Sequence, residues 1–307
     1  MSSLRLAAGD YLAMRRALGF KLSREETLLP RFADFIDARG EQHVSTDAAL
    51  VWATLPAGSA AWWATRLQIV RGFAAYLHSI DPVHEVPALD LLPRPPHRAT
   101  PYLYTEEQIN ALIAAAGTLR TPLRVATMQT LLGLLAVTGM RIGEAVGLDR
   151  DDFDTRNGYL LVRGAKFGKS RELALHPTTV TALQRYLRRA DRPPPSPGTS
   201  ALLVTAVGTR LSTKDVQRTF TTLRHRAGIE ARSASCRPRL HDMRHSFAVA
   251  TVLDAYETDQ DAGRRLALLA TYLGHVNPAS TYWYLSAAPE LMQLAADRLA
   301  RHIGERS

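Results

Sequence analysis

Four short segments carry side chains that could act together on a phosphate. Thr138-Gly139-Met140-Arg141-Ile142-Gly143-Glu144 ends an apolar run and places an arginine directly after it. Gly164 to Ser170 holds Lys166 and Lys169, two of only four lysines in a chain with 34 arginines. Leu240-His241-Asp242-Met243-Arg244-His245 is the third segment; the fourth is Leu273-Gly274-His275, followed nine residues later by Tyr284. Each has an ordinary reading alone: Arg141 pairing with Glu144 or Asp149, lysines facing solvent, a tyrosine packed with its hydroxyl satisfied. His241, Asp242 and His245 share a helix face, but without H-E-x-x-H or a third ligand no metal site is expected. Together the segments suit one reaction. Two arginines can hold the non-bridging oxygens of one phosphate. Histidines can donate to it or carry a proton. A hairpin lysine can protonate a leaving alkoxide, and a tyrosine can attack phosphorus and keep it as a covalent diester. No Asp/Glu cluster suited to Mg²⁺ accompanies them, so side chains must stabilise the charge and no cofactor is expected.

The elements that must position these groups are mostly helical. Tyr11, Leu12, Met14, Ala17 and Leu18 have helical spacing, stopped by Gly19. Ser23 and Glu26 predict a capping box, with Pro30 kinking the helix that follows or delaying its start. Shorter and longer helices are predicted over Asp47–Ala53 and Ala60–Ser79, which makes residues 1–85 a small bundle. Six prolines between Pro82 and Pro101 predict an extended linker over 86–101. Beyond it, in 102–307, Thr105 and Gln108 form a second capping box, and Pro122 opens an apolar helix that Gly139 ends. Asn157-Gly158 introduces strands Tyr159–Arg163 and Arg171–Leu175, joined by the lysine hairpin, with a third strand predicted at Ala201–Thr205. From Ser212 the pattern is helical again, and Pro289–Ile303 reads as a terminal amphipathic helix. The predicted fold class is mainly α with a small antiparallel β-sheet.

Composition narrows the function. The 307 residues are 46% hydrophobic and 22% charged, which excludes a disordered or low-complexity chain. No apolar run is long enough to span a bilayer and the N-terminus is no signal peptide, so a cytoplasmic protein with no membrane partner is expected. One cysteine, Cys236, makes neither an internal disulfide nor a cysteine-built zinc site. The net charge of +9 lies wholly beyond residue 95, because 1–95 holds ten basic and ten acidic residues. Nine basic residues fall between Arg210 and Arg244, among them Lys214, Arg218 and Arg226, against three acidic ones. That stripe is a candidate phosphate-contacting surface, with a solvated face as its plain alternative.

In order and spacing these motifs resemble the tyrosine recombinases, the phage integrase family that includes the Xer proteins. The resemblance implies a helical N-terminal core-binding domain, a linker and a tyrosine-recombinase catalytic domain. It implies roles residue by residue: Arg141 in the T-G-x-R-x-x-E box with Glu144 supporting it, and Lys166 as the hairpin lysine, with Lys169 the alternative and otherwise a DNA contact. His241 and Arg244 match H-x-x-R, His275 is the second histidine and Tyr284 the nucleophile, with Tyr282 a competitor. It further implies a double-stranded DNA partner with inverted recognition arms. Synapsis would be by a homotetramer, or a hetero-tetramer with related recombinases. The stretch from Arg244 to His275 is longer than is usual in the family, and Asp254–Arg264 reads as an insertion. A type IB topoisomerase-like relaxase and a catalytically silent DNA-binding accessory protein are the alternatives, and a metal-dependent nuclease is a distant one.

Overall fold

The computed structural model describes residues 3–93, 100–164, 170–193, 200–258 and 261–274, with Glu257 and Ala262 described in backbone only. The chain divides into two compact units, Met1–Arg98 and Ala99–Ser307.

The described residues of the first unit form four helices, α1 (Ser3–Ala17), α2 (Glu25–Ala38), α3 (Thr46–Thr54) and α4 (Ala60–Ile80). Ser45 and Ser59 cap α3 and α4, their hydroxyls accepting from the amides of Ala48 and Trp62. Phe32, Ile36, Trp52, Val70 and Phe73 build the core between them. One expectation for α2 fails and the other is narrowed. Arg24, not Ser23, precedes the helix, in α-helical geometry and with no side-chain cap, while the Ser23 carbonyl accepts from the Thr27 hydroxyl. Nor does Pro30 delay the start: α2 begins five residues earlier and runs through it. Pro30 forgoes the hydrogen bond to the carbonyl of Glu26, which lies on the exposed face where water can satisfy it.

The second unit begins with α5 (Glu106–Ala116), started by the Thr105–Gln108 capping box, and α6 (Pro122–Thr138), opened by Pro122 and ended by Gly139. Then come α7 (Ile142–Gly147), a single 3₁₀ turn at Arg150–Asp152, and three strands. These are β1 (Phe153–Asp154), β2 (Tyr159–Val162) and β3 (Arg171–Ala174), an antiparallel sheet in the order β1-β2-β3. Val162 pairs with Arg171, so β2 and β3 are antiparallel neighbours; residues 165–169, with Lys166 and Lys169, lie outside the described residues. Among the described residues four helices follow: α8 (Pro177–Leu187), α9 (Thr213–Arg226), α10 (Asp242–Glu257) and α11 (Ala262–Leu273).

The strand expected at Ala201–Thr205 does not form; the third strand is β1. Ala201 to Val204 is buried throughout, and only isolated bridges join Ala201 to Asp149 and Val204 to Arg210. Side chains take much of its backbone hydrogen bonding. Arg192 donates to the carbonyls of Ala201 and Leu202, and the Tyr186 hydroxyl accepts from the Val204 amide. An apolar run satisfied this way needs no neighbouring strand. The expected insertion Asp254–Arg264 falls across the end of α10 and the start of α11, and the terminal stripe Pro289–Ile303 lies outside the described residues. The architecture is mainly α with one small antiparallel sheet. Among the described residues no helix is long and apolar enough to cross a membrane.

Candidate active site

The site begins where α6 stops. Gly139 adopts φ +59°, and a Cβ there would stand 2.5 Å from Phe247 Cδ1 and 3.0 Å from Leu273 Cδ2, so glycine is required on both counts. The turn it permits places Arg141 at the start of α7. Glu144, one turn on, reaches back: its carboxylate accepts from the Arg141 amide at 2.8 Å and from the Arg141 guanidinium at 2.9 Å. Arg171 of β3 approaches the same carboxylate from the other side and donates to both oxygens, at 3.1 and 2.8 Å. Burial pushes the Glu144 carboxyl up, but the hydrogen bonds from Arg171 and from the Arg141 amide outweigh it and hold it at about 2. Glu144 is therefore ionised at any working pH, a fixed counter-charge between two arginines.

Arg244 comes from the first turn of α10 and is only 2% exposed. It donates to the Gly139 carbonyl and to the Leu273 carbonyl, both at 2.8 Å, and so ties the α6–α7 turn to the end of α11. Buried Asp242 is engaged by Arg239 through its amide and guanidinium, which fixes the turn that starts α10. His241 precedes that helix with its ring edge-on to His245, centroids 5.1 Å apart. Desolvation first, then the charge of Arg244, lowers the His241 pKa, and Arg141 adds to the effect. A neutral imidazole at pH 7 follows.

The structure thus gathers Arg141, Glu144, His241 and Arg244 around the junction of α6, α7 and α10. Lys166, Lys169, His275, Tyr282 and Tyr284 lie outside the described residues. Motif reading missed Arg171. Strand alternation could have flagged it, because Arg171 lies two residues before the buried Leu173 and so shares its inward face.

A metal reading of His241, Asp242 and His245 gains nothing: the sole group of three possible ligands among the described residues is His43, Asp81 and His84 in the first unit. There the His84 Nδ1 accepts from the Val44 amide at 3.1 Å. A neutral ring then carries its proton on Nε2, so neither nitrogen offers a free lone pair.

Residues 103–290 match the family model for the phage integrase family. The chain belongs to the phage integrase family. It is 44% identical over the full length of both chains to a Sinorhizobium fredii protein named as the integrase/recombinase y4rB. It is also 34% identical to the tyrosine recombinase XerD of Mycobacterium tuberculosis, over 62% of this chain and 58% of that one. Solved structures share the fold. The Tn1549 transposon integrase in complex with transposon right end DNA superposes with a TM-score of 0.66 at 17% identity, over 96% of this chain and 99% of that one. XerH bound to its palindromic difH substrate gives 0.62 at 19%, over 87% and 76%. The enzyme class is tyrosine site-specific recombinase.

The basic stripe of this recombinase divides by what each arginine already holds. Arg210 is engaged within the chain, on Asp149 and on the carbonyls of Val146 and Leu148. Lys214, Arg218 and Arg226 are exposed along α9. Arg218 stands 3.7 Å from Asp215, and Arg226 donates to the Thr118 hydroxyl. With Arg120 and Arg124, Arg218 and Arg226 line a cavity of about 330 Å³ beside the start of α6, and none of its lining residues is acidic.

Proposed function

We propose that this recombinase cuts and rejoins double-stranded DNA through a 3′-phosphotyrosine on Tyr284. The observation that carries the reading is the joint fixing of Arg141 and Arg244, from segments a hundred residues apart, around one glycine turn. The Tyr284 oxygen forms a bond to phosphorus as the bond to the 5′ oxygen breaks. That oxygen takes a proton from Lys166, and neutral His241 accepts the phenolic proton. Arg141, Arg244 and His275 spread the charge of the five-coordinate phosphorus. The phosphotyrosine retains the bond energy, so a second 5′-hydroxyl can reverse the step without ATP. Lys166, His275 and Tyr284 enter this scheme through their sequence motifs.

On this reading residues 1–85 form a core-binding domain, 86–101 a linker and 102–307 the catalytic domain, which together clamp the duplex. XerH and the Tn1549 integrase were both solved on DNA, which supports the same partner here. The cavity flanked by Arg218 and Arg226, with Lys214 on the same helix, is a phosphate-contacting surface; Arg210 is held by Asp149 and the carbonyls of Val146 and Leu148. Four protomers, of this chain alone or with a related recombinase, exchange strands between two duplexes with inverted arms through a Holliday junction.

The test is covalent capture on a nicked suicide duplex, its site recovered by selection from random DNA. Wild type should become covalently linked; Tyr284→Phe should bind the duplex and form no link. A normal yield from Tyr284→Phe, with loss in Tyr282→Phe, would move the nucleophile.

A further inference from the structure

We propose that Arg171 is a positioning residue of strand cleavage: it fixes Arg141 through Glu144 and fixes the last turn of α11 through the Tyr272 carbonyl. The inference rests on the reading above, in which Arg141 holds the scissile phosphate.

The geometry is that of a clasp. Arg171 donates from Nε to the Tyr272 carbonyl at 2.8 Å, while its two terminal nitrogens each take one oxygen of Glu144. All three nitrogens are thus engaged inside the chain, and the side chain is only 11% exposed, so it has no free face for a phosphate. Gly274 lies against it. A Cβ at that position, where φ is +70°, would stand 3.1–3.3 Å from the guanidinium. The chain therefore leaves α11 over the face of Arg171, directly before His275. One residue thereby holds two of the catalytic segments in a common frame.

Glu144 cannot hold Arg141 as well by itself. Both of its oxygens serve both arginines, and its side chain is 9% exposed. Arg141, which caps α7, and Arg171 from β3 are the charged groups facing it; Tyr272 of α11 faces Arg171, and its hydroxyl, with a raised pKa, donates to the Ala174 carbonyl. With Arg171 gone, desolvation is opposed by Arg141 alone and the Glu144 pKa rises. A protonated Glu144 no longer accepts fully from Arg141. The sign follows: a carboxylate whose depressed pKa relaxes upward loses its function as pH falls, so an acid limb should enter the range where wild type has none from this group. His241 titrates in every variant and cancels in ratios to wild type.

The experiment measures first-strand cleavage from pH 5.5 to 9 on the same nicked duplex, at saturating protein. Arg171→Gln should cleave roughly tenfold slower than wild type at pH 6 and recover toward it at pH 9, with single-arm DNA affinity unchanged. Arg171→Lys, which keeps the charge but not the fork, should fall between them. In the Arg171→Gln background, Glu144→Gln cannot titrate and should flatten the ratio. Wild-type capture tests the underlying reading, so these ratios judge Arg171 alone. Cleavage by Arg171→Gln that matches wild type at every pH would overturn the proposal. So would an equal loss at every pH, because that marks a purely structural role. If Arg171→Gln does not fold, a pH-independent ratio for Arg171→Lys decides against it in the same way.

Discussion

Replacing Gly139 by alanine should damage both stability and cleavage, whereas the same change at Gly133 should help the fold. Gly139 ends α6 at φ +59°, a conformation that costs a residue with a Cβ about 1–2 kcal/mol. The added methyl would also stand 2.5 Å from Phe247 Cδ1 and 3.0 Å from Leu273 Cδ2. These side chains belong to α10 and α11, and overpacking of this kind costs about 1–3 kcal/mol. The smaller entropy of the unfolded chain returns about 0.4–1 kcal/mol. The balance is a destabilisation of about 2–4 kcal/mol, or roughly 4–16 °C in melting temperature for a unit of this size. Cleavage should fall further than stability requires, because the Gly139 carbonyl accepts from Arg244 and any shift of the turn drags that arginine with it. Gly133 sits inside α6 with nothing within 4 Å of where a methyl group would stand, so alanine there should add about 0.5–1 kcal/mol of helix stability. Thermal melts of the full chain, read beside covalent capture on the suicide duplex, separate the two. Shortening the obstruction with Phe247→Leu should restore part of the stability that Gly139→Ala removes. An unchanged melt for Gly139→Ala, or no relief from Phe247→Leu, would refute the steric argument.

Other parts of the chain give three further outcomes. Arg218→Gln with Arg226→Gln should flatten the slope of log affinity against log salt by about 0.9 for each phosphate no longer neutralised, whereas Arg210→Gln should lower the melting temperature and leave the slope alone. In the first unit, burial and then the charge of His43 lower the His84 pKa below 6.5. Its contribution is therefore complete above pH 6.5 and lost as pH falls below it, so tryptophan-fluorescence melts should weaken there and His84→Gln should level that dependence. Arg66 lies 3.5 Å over the Trp52 ring and donates to the carbonyls of Ala53 and Trp52 at 3.1 and 2.6 Å, closing the end of α3. Arg66→Met should cost about 2 kcal/mol in urea unfolding, mostly from buried carbonyls left without a donor.

What could be read from the sequence was local, and what could not be read depended on partners far along the chain. The Thr105 box, the proline that opens α6 and the glycine that closes it each act within a turn, so their residue types announce them. Ser23 fails as a cap because the backbone is already helical at Arg24, a feature that residue type does not disclose. Ala201–Val204 misleads for a related reason: an apolar run reads as a strand until the side chains that satisfy its backbone, here Arg192 and Tyr186, are located in space. The arginines make the same point for function. Arg141 and Arg244 were legible because motifs mark them, but 34 arginines cannot be sorted by charge. Arg210 falls in the basic stripe and is engaged on Asp149 and two carbonyls; Arg171 carries no motif and holds Glu144 with both ends of its fork. An arginine's role is set by which acceptors reach it first. For Arg210 and Arg171 those acceptors are carboxylates and backbone carbonyls of the chain itself, which set them apart from the exposed guanidinium groups of Arg218 and Arg226.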